Sequence, residues 1–457
     1  MLNEISQLFI LRILFLRMCE DRGITNYEQL KKTSQTNDWP AFVNLLVESD
    51  QRFDSGLFDI ADDPFLSTTR QSIRLDSSTV QYIVDSLYFP GAPYTFSVFE
   101  PEFLGSVYEQ FLTQRVIIDG GTAYLIRKPE HVDRDIIATP RSIIEKIVQD
   151  TLSPSIQNLD ISSILDKKVL DPACGSGGFL ISAFDVLVDV VIMAYLQLGD
   201  DRAIYKTPNG WQLTFEEKCR ILTNCIYGAD RDYAATEVTK FSLLVKLLEE
   251  ETANSLPDRD GILPRLDHNI FFGDSLVDSR IYDENPSFKT IGPPLTWGQG
   301  TPRKFNYIVG NPPYLKTEDM LNLEGFEFKF YKKHYKSAYK QFDKYYLFIE
   351  RSVKDLLAQN GMLGMIVSRK FFNVQSGKNL RQLLSMDALV TQVVDFGNAQ
   401  LFEGRTTYTC LLYLSKEKPS SSVRDDSLLY EVVTSPKEWV KQQYGPRTPF
   451  SIPRYFV

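Results

Sequence analysis

The chain has 457 residues, 43% hydrophobic, 12% aromatic and 24% charged, with 25 Gly and 23 Pro. That composition supports about two to four domains with real cores and excludes a disordered, collagen-like or disulfide-scaffold protein. Lys+Arg at 50 against Asp+Glu at 59 leaves a formal net charge of -9, so the surface has no broad basic coat and any nucleic acid must be gripped locally.

In chain order, apolar residues Leu8, Leu11, Leu14, Phe15 and Met18 recur at helical spacing, and Asp21-Arg22-Gly23 follows as a stop. The spacing predicts an amphipathic helix over 4–20, broken by Arg12 and Arg17 and so unlike a signal peptide. Helical pattern returns at 81–87 and 102–112, giving a mainly helical N-terminal domain over 1–125. After Asp119-Gly120-Gly121-Thr122 the texture changes. Short β-rich runs at 168–170, 225–228, 269–272, 305–309, 362–367, 392–394 and 407–414 alternate with helical stretches at 178–197, 233–250, 343–358 and 376–385. Alternation of this kind predicts an α/β domain over 126–415, a mostly parallel sheet with helices on both faces and one antiparallel strand at its edge.

Residues 199–216 and 275–304 read as insertions or surface loops, and 416–457 as a linker or the start of a further domain. No uninterrupted apolar run approaches the roughly 18 residues of a membrane span, and the expectation is a soluble, cytoplasmic protein. Cys19, Cys174, Cys219, Cys225 and Cys410 form no CxxC pair, and His131, His268 and His334 are scattered, so neither a metal site nor a disulfide framework is expected.

The chemistry concentrates at strand tips. Val169-Leu170-Asp171-Pro172-Ala173-Cys174-Gly175-Ser176-Gly177-Gly178-Phe179 is a strand ending in a carboxylate, a glycine turn and then an apolar helix. In open α/β sheets ligands bind beyond the carboxyl ends of strands, and Gly175 and Gly177 let backbone amides approach them. The third glycine of the dinucleotide fingerprint and the Lys-Ser/Thr of a phosphate loop are both missing, which favours a ligand without phosphates. Asp230 ends the next strand, where a carboxylate suits two ribose hydroxyls or simply caps the following helix. Asp274 ends the third and could accept from an exocyclic amine.

The fourth strand ends at Asn311-Pro312-Pro313-Tyr314, the most specific feature in the chain. Two prolines fix the backbone and remove two donors, leaving the Pro312 carbonyl beside the Asn311 side-chain oxygen as paired acceptors for a planar NH2 group. Tyr314 offers a ring for stacking.

The segment 171–179 followed by 311–314 resembles the paired signature motifs of S-adenosylmethionine-dependent N6-adenine DNA methyltransferases of restriction-modification systems, in the motif order of the gamma class. Phe99-Glu100-Pro101-Glu102-Phe103-Leu104-Gly105-Ser106-Val107-Tyr108-Glu109, Ala138-Thr139-Pro140, Asp343-Lys344-Tyr345-Tyr346-Leu347-Phe348, 361–369 and 401–408 resemble further motifs of that family. The resemblance implies a Rossmann-like class I methyltransferase sheet behind a helical N-terminal domain. It also implies that Asp171, Ala173, Cys174, Gly175, Gly177 and Phe179 surround the methionine part of S-adenosylmethionine, with Thr139 and Pro140 closing over it. Asp230 would bind the ribose and Asp274 the cofactor adenine amine, with Arg231 and Ser275 also among the cofactor-binding residues. Asn311 and Pro312 would hold the target amine, Asn311 also facing the cofactor, with Tyr314 and Phe402 stacking on the flipped base.

Double-stranded DNA is the expected partner, and Lys329, Lys332, Lys333, Lys336, Lys340 and Lys344, interleaved with aromatics, are the expected grip, a solvated helix face being the competing reading. Gamma-class members usually carry a target-recognition domain after the last strand, so the chain is expected to be a fragment or to rely on another subunit, as a type I-like modification subunit does. Rival substrates for the same tetrapeptide are RNA and a protein glutamine. Glu327-Phe328-Lys329 has nuclease spacing without a suitable upstream acid, and no cleavage is expected.

Overall fold

The computed structural model describes residues 2–36, 38–57, 75–98, 114–127, 139–157, 159–286, 288, 292–386, 389–399, 401, 408–416, 427–441 and 450–453. Helices α1 (Leu2–Asp21), α2 (Gln29–Gln35), α3 (Trp39–Phe53) and α4 (Ser77–Asp85) build the N-terminal region. The expected stop after α1 is a Schellman closure: Gly23 takes φ 67°, its N–H reaches the Glu20 carbonyl at 3.0 Å, and Ile24 N–H reaches the Cys19 carbonyl at 2.8 Å. Burial of α1 goes further than an amphipathic helix would require. Arg12 and Arg17 are also inside, where Arg12 donates to the Leu57 carbonyl and Arg17 to the Leu87 carbonyl beside Glu20 and Asp21. A charge in a sequence marks a solvated face only when no partner is folded onto it.

A hairpin of β1 (Gln114–Asp119) and β2 (Thr122–Arg127) follows, turning at Gly120 and Gly121 with φ 55° and 81°. The expected domain boundary at 125 therefore cuts through β2. The expected helix at 102–112 lies outside the described residues.

Nine strands form the main sheet: β3 (Val169–Asp171), β6 (Ile226–Asp230), β7 (Ile270–Phe272), β8 (Phe305–Gly310), β9 (Leu357–Ser368), β10 (Val390–Asp395), β11 (Thr409–Ser415), β12 (Ser427–Val432) and β13 (Phe450–Pro453). Their order is β13-β12-β10-β11-β9-β8-β3-β6-β7. Strands β7, β6, β3, β8 and β9 run parallel, and β11 is antiparallel to both β9 and β10. The antiparallel strand β11 is not at the edge, because β10 folds back onto its outer side; beyond β10, two strands from the segment expected as a linker or further domain extend the sheet, β12 parallel to β10 and β13 antiparallel to β12. The helix Pro436–Lys441 packs Trp439 edge-on against Phe396, satisfying its indole N–H at Glu431.

Successive residues of each strand feed opposite cores, as the period of two demands. Val169, Ile226, Tyr307 and Ile366 join one cluster, and Leu170, Tyr227, Ile308 and Val367 the other. The 199–216 insertion is a second hairpin, β4 (Ile204–Thr207) with β5 (Gly210–Leu213). The expected helix over 343–358 is shorter, Tyr345–Arg351, because β9 begins at Leu357 after a π turn.

One helix among the described residues, Gly178–Leu198, is long and apolar enough to cross a membrane by length and composition, although Asp185 and Asp189 interrupt its apolar run. Its Phe179, Leu180, Ile181, Phe184, Leu187, Val191 and Tyr195 are buried in the domain. The N-terminal helices are tied to this domain by backbone bonds of Gly261, Ile262 and Leu263 to Gln51, Arg52 and Phe53.

Candidate functional site

The strand order reverses at β3, whose neighbours β6 and β8 lead to opposite ends of the sheet, and the cleft beyond the carboxyl ends of such strands is where open α/β folds bind ligands. After Asp171 the loop is stitched to β6. Cys174 N–H donates to the Ala229 carbonyl at 3.0 Å, Gly175 N–H to Asp230 Oδ2 at 3.0 Å, and Thr239 Oγ1 to the Gly175 carbonyl at 2.8 Å. Both glycines are needed, for different reasons. At Gly175, φ is 54° and an added Cβ would meet nothing within 4 Å, so open space lies there; at Gly177, φ is 90° and a Cβ would sit 3.1 Å from Thr239 Cγ2.

The two carboxylates of this loop are held in unusual states. Asp171 is 1% exposed, its Oδ1 accepts from Ala173 N–H at 3.0 Å, and burial with the nearby Asp230 charge pushes its acid up to about 8. Burial likewise pushes Asp230 up to about 6, against hydrogen bonds from Asp232 and Gly175 N–H. Asp230 thus fastens the glycine loop; Asp232 caps the helix Tyr233–Leu247.

Asp274 is buried at the tip of β7. Its Oδ1 accepts from Leu276 N–H at 2.9 Å, while Oδ2 has no hydrogen-bond partner and lies 3.9 Å from Arg231 Nη1. Ser275 Oγ donates to the Pro172 carbonyl at 2.7 Å, which commits its hydroxyl to joining the β7 tip to the loop after β3. The Arg231 guanidinium is ion-paired with Glu324, because that buried carboxylate offers it a partner water cannot.

The tip of β8 lies flush against β3. Gly310 has φ 153°, and a Cβ there would fall 2.6 Å from Asp171 Oδ1. Asn311 Nδ2 donates to Thr139 Oγ1 at 3.0 Å, so the Thr139 side chain orients the amide. Thr139 and Pro140 stand at the head of the helix Arg141–Ile156. Pro312 is buried and Pro313 partly so. Tyr314 is buried, not an exposed ring: it donates to the Ile366 carbonyl at 3.0 Å and meets Tyr345 edge-on at 5.7 Å. Phe179 belongs to the core beneath the loop and Cys174 is buried. Phe402 and the motif at 99–109 lie outside the described residues.

The lysine-aromatic segment resolves into a face and a core. Lys329, Lys332, Lys333, Lys336 and Lys340 are exposed, whereas Phe330, Tyr331 and Tyr335 are inside. Lys344, expected on DNA, is 2% exposed and donates to both oxygens of Glu324 at 2.8 and 2.9 Å, leaving it no reach to a phosphate. Sequence reasoning missed Glu324; its partners lie 20 and 93 residues away, and no spacing signals that pairing.

The sheet, the strand-tip cleft and the helical region ahead of them make this a class I methyltransferase fold. Residues 224–402 match the family model Eco57I restriction-modification methylase. It is 41% identical over 444 residues to the type II restriction enzyme and methyltransferase RM.Eco57I of Escherichia coli, covering 97% of this chain and 43% of that protein. Similarity also extends to the type II methyltransferase M.BstVI of Geobacillus stearothermophilus, 28% identical over 65% of this chain and 45% of that protein. The chain thus spans less than half the length of these two curated relatives. Among solved structures, the type IIL restriction-modification enzyme MmeI in complex with DNA superposes with a TM-score of 0.61 at 13% identity, covering 99% of this chain and 58% of that one. The DrdV-DNA complex gives 0.53 at 11% identity, covering 99% and 46%. These superpositions concern the fold.

Proposed function

We propose that this chain transfers a methyl group from S-adenosylmethionine to the N6 amine of an adenine flipped out of double-stranded DNA, as the modification component of a restriction-modification system. The observation that carries the reading is the close approach of the Gly310 backbone to Asp171, where an added Cβ would fall 2.6 Å from Oδ1, so that the tetrapeptide at 311–314 and the glycine loop leave neighbouring strand tips. The restriction-modification relatives, and the DNA in the MmeI and DrdV complexes, support DNA as the substrate.

The residues present fit such a cofactor. Open space at Gly175 admits the methionine part beside Asp171, and the Asp274 oxygen without a hydrogen bond is a buried acceptor that an exocyclic amine would satisfy. Asp230, already fixed by two N–H groups, retains lone pairs for ribose hydroxyls. When bound, the sulfonium supplies an activated methyl group. Asn311 Oδ1 and the Pro312 carbonyl accept the two amine hydrogens, which favours a pyramidal nitrogen with a localised lone pair. No strong base precedes attack, and the protein contributes in-line positioning and electrostatic fit to the transition state. Extrusion of the base costs a few kcal/mol. Tyr314, anchored to Ile366 and Tyr345, serves as a rigid wall of the base pocket. The exposed lysines at 329–340 contact phosphates.

The test is product identity. Duplex DNA incubated with the protein and labelled S-adenosylmethionine, then digested to nucleosides, is expected to yield N6-methyladenine; label in cytosine, or in protein alone, overturns the reading.

Cofactor binding is also expected to release protons. At pH 6–7 Asp171, near 8, is mostly protonated and Asp230, near 6, is at most half protonated, and a cationic ligand favours their carboxylates. Affinity therefore rises with pH from about 6 and levels off above about 8. Calorimetry at pH 7 in buffers of different ionisation enthalpy is expected to show release of roughly half to one proton per ligand; proton uptake would contradict the assignment of Asp171.

A further inference from the structure

Glu324 sits between the helices Thr317–Leu323 and Gly325–His334 with its side chain fully buried. Three side chains converge on it. Arg231, which directly follows Asp230, is ion-paired with it and lies 3.9 Å from the Asp274 oxygen that lacks a hydrogen bond. Lys344 donates to both of its oxygens, and Lys344 N–H in turn holds the Leu315 carbonyl at 2.8 Å, one residue past Tyr314. Tyr331 OH lies 3.4 Å from Oε2. A Cβ at Gly292 would fall 2.9 Å from Arg231 Cα, so the arginine backbone is closely confined as well.

Two buried cations and two buried carboxylates are a poor way to add stability alone, since apolar residues of the same volume often serve as well or better. Their arrangement does fix positions. One end of the cluster is the Asp230–Arg231 and Asp274 side of the cleft, the other the segment leaving 311–314.

Resting on the methyl-donor reading above, we propose that Glu324 is a positioning residue for cofactor recognition: it engages Arg231 and keeps it 3.9 Å from Asp274 Oδ2, beyond hydrogen-bond distance, so that this oxygen is left to meet the 6-amino group of the cofactor's purine. The purine amine is then read through Asp274 only while the cluster is intact. Loss of Glu324 frees Arg231 to claim the Asp274 oxygen for itself, and preference for the amine falls.

The experiment compares binding of S-adenosylhomocysteine with its counterpart lacking the 6-amino group, using the full chain. Wild type is expected to prefer the amine by about tenfold or more, as a buried acceptor left unsatisfied implies. In Glu324→Gln the preference is expected to fall below about threefold, as in Asp274→Asn, with the double variant no lower than either. Should Glu324→Gln fail to fold, Arg231→Met carries the same expectation. Preference retained at the wild-type level in the folded variant, or equal weakening of both ligands, overturns the role of Glu324. Wild type that binds neither ligand refutes the methyl-donor reading itself, and this inference with it.

Discussion

Asn311→Ala is expected to lower methyl transfer to DNA by on the order of 10^3-fold while the affinity for S-adenosylmethionine stays within about threefold. The side chain is tethered before any substrate arrives: Nδ2 donates to Thr139 Oγ1 at 3.0 Å, which holds the amide plane beside the cleft. Alanine removes the acceptor for one amine hydrogen, and the Pro312 carbonyl alone cannot hold the nitrogen pyramidal and in line. The glycine loop, proposed to hold the methyl donor, is stitched to β6 and the following helix through Cys174, Gly175 and Thr239, none of which depends on Asn311. The loss therefore falls on the chemical step. Incorporation of tritiated methyl into duplex DNA, with calorimetric binding as control, measures both; transfer at the wild-type rate would remove Asn311 from the mechanism.

Gly310→Ala is expected to damage both halves of the cleft at once. The added methyl would lie 2.6 Å from Asp171 Oδ1, an atom already accepting from Ala173, and the backbone is at φ 153°. Overpacking and strain together cost about 2–4 kcal/mol and force β8 away from β3. Thermal unfolding should drop by several degrees, with loss of cofactor binding and of transfer together. Gly175→Ala is the contrasting case. Its methyl meets nothing within 4 Å, so stability falls by only about 1 kcal/mol for the positive φ while the ligand's space is filled. Equal stability and equal binding in Gly310→Ala and wild type would show that the two strand tips are not in register as described.

What the sequence made legible is what depends on neighbours in the chain. Apolar runs ending in Asp171, Asp230 and Asp274, and the run ending at Asn311, mark strand tips because a buried parallel strand must be apolar and its exit must turn sharply. The glycines of 171–178 were readable for the same reason. The missing parts are pairings across long separations. Thr139 meets Asn311 across 172 residues and Glu324 meets Arg231 across 93, and neither residue type announces its partner. Lys344 read as a surface cation because lysines usually are, and only the fold supplies the buried carboxylate that keeps it inside. Tyr314 likewise read as an available ring, whereas the Ile366 carbonyl draws its hydroxyl inward. Strands β12 and β13 escaped notice because short runs beyond a polar stretch carry little signal until the edge of β10 is there to pair with.

The arrangement at the tip of β8 can be observed directly in a crystal structure of the protein with S-adenosylhomocysteine and a duplex containing its target adenine. The account predicts an extruded adenine whose amine lies about 3 Å from both Asn311 Oδ1 and the Pro312 carbonyl oxygen, facing the cofactor sulfur. An adenine still stacked in the duplex with the cleft closed, or an amine held elsewhere and out of line with the sulfur, would contradict it.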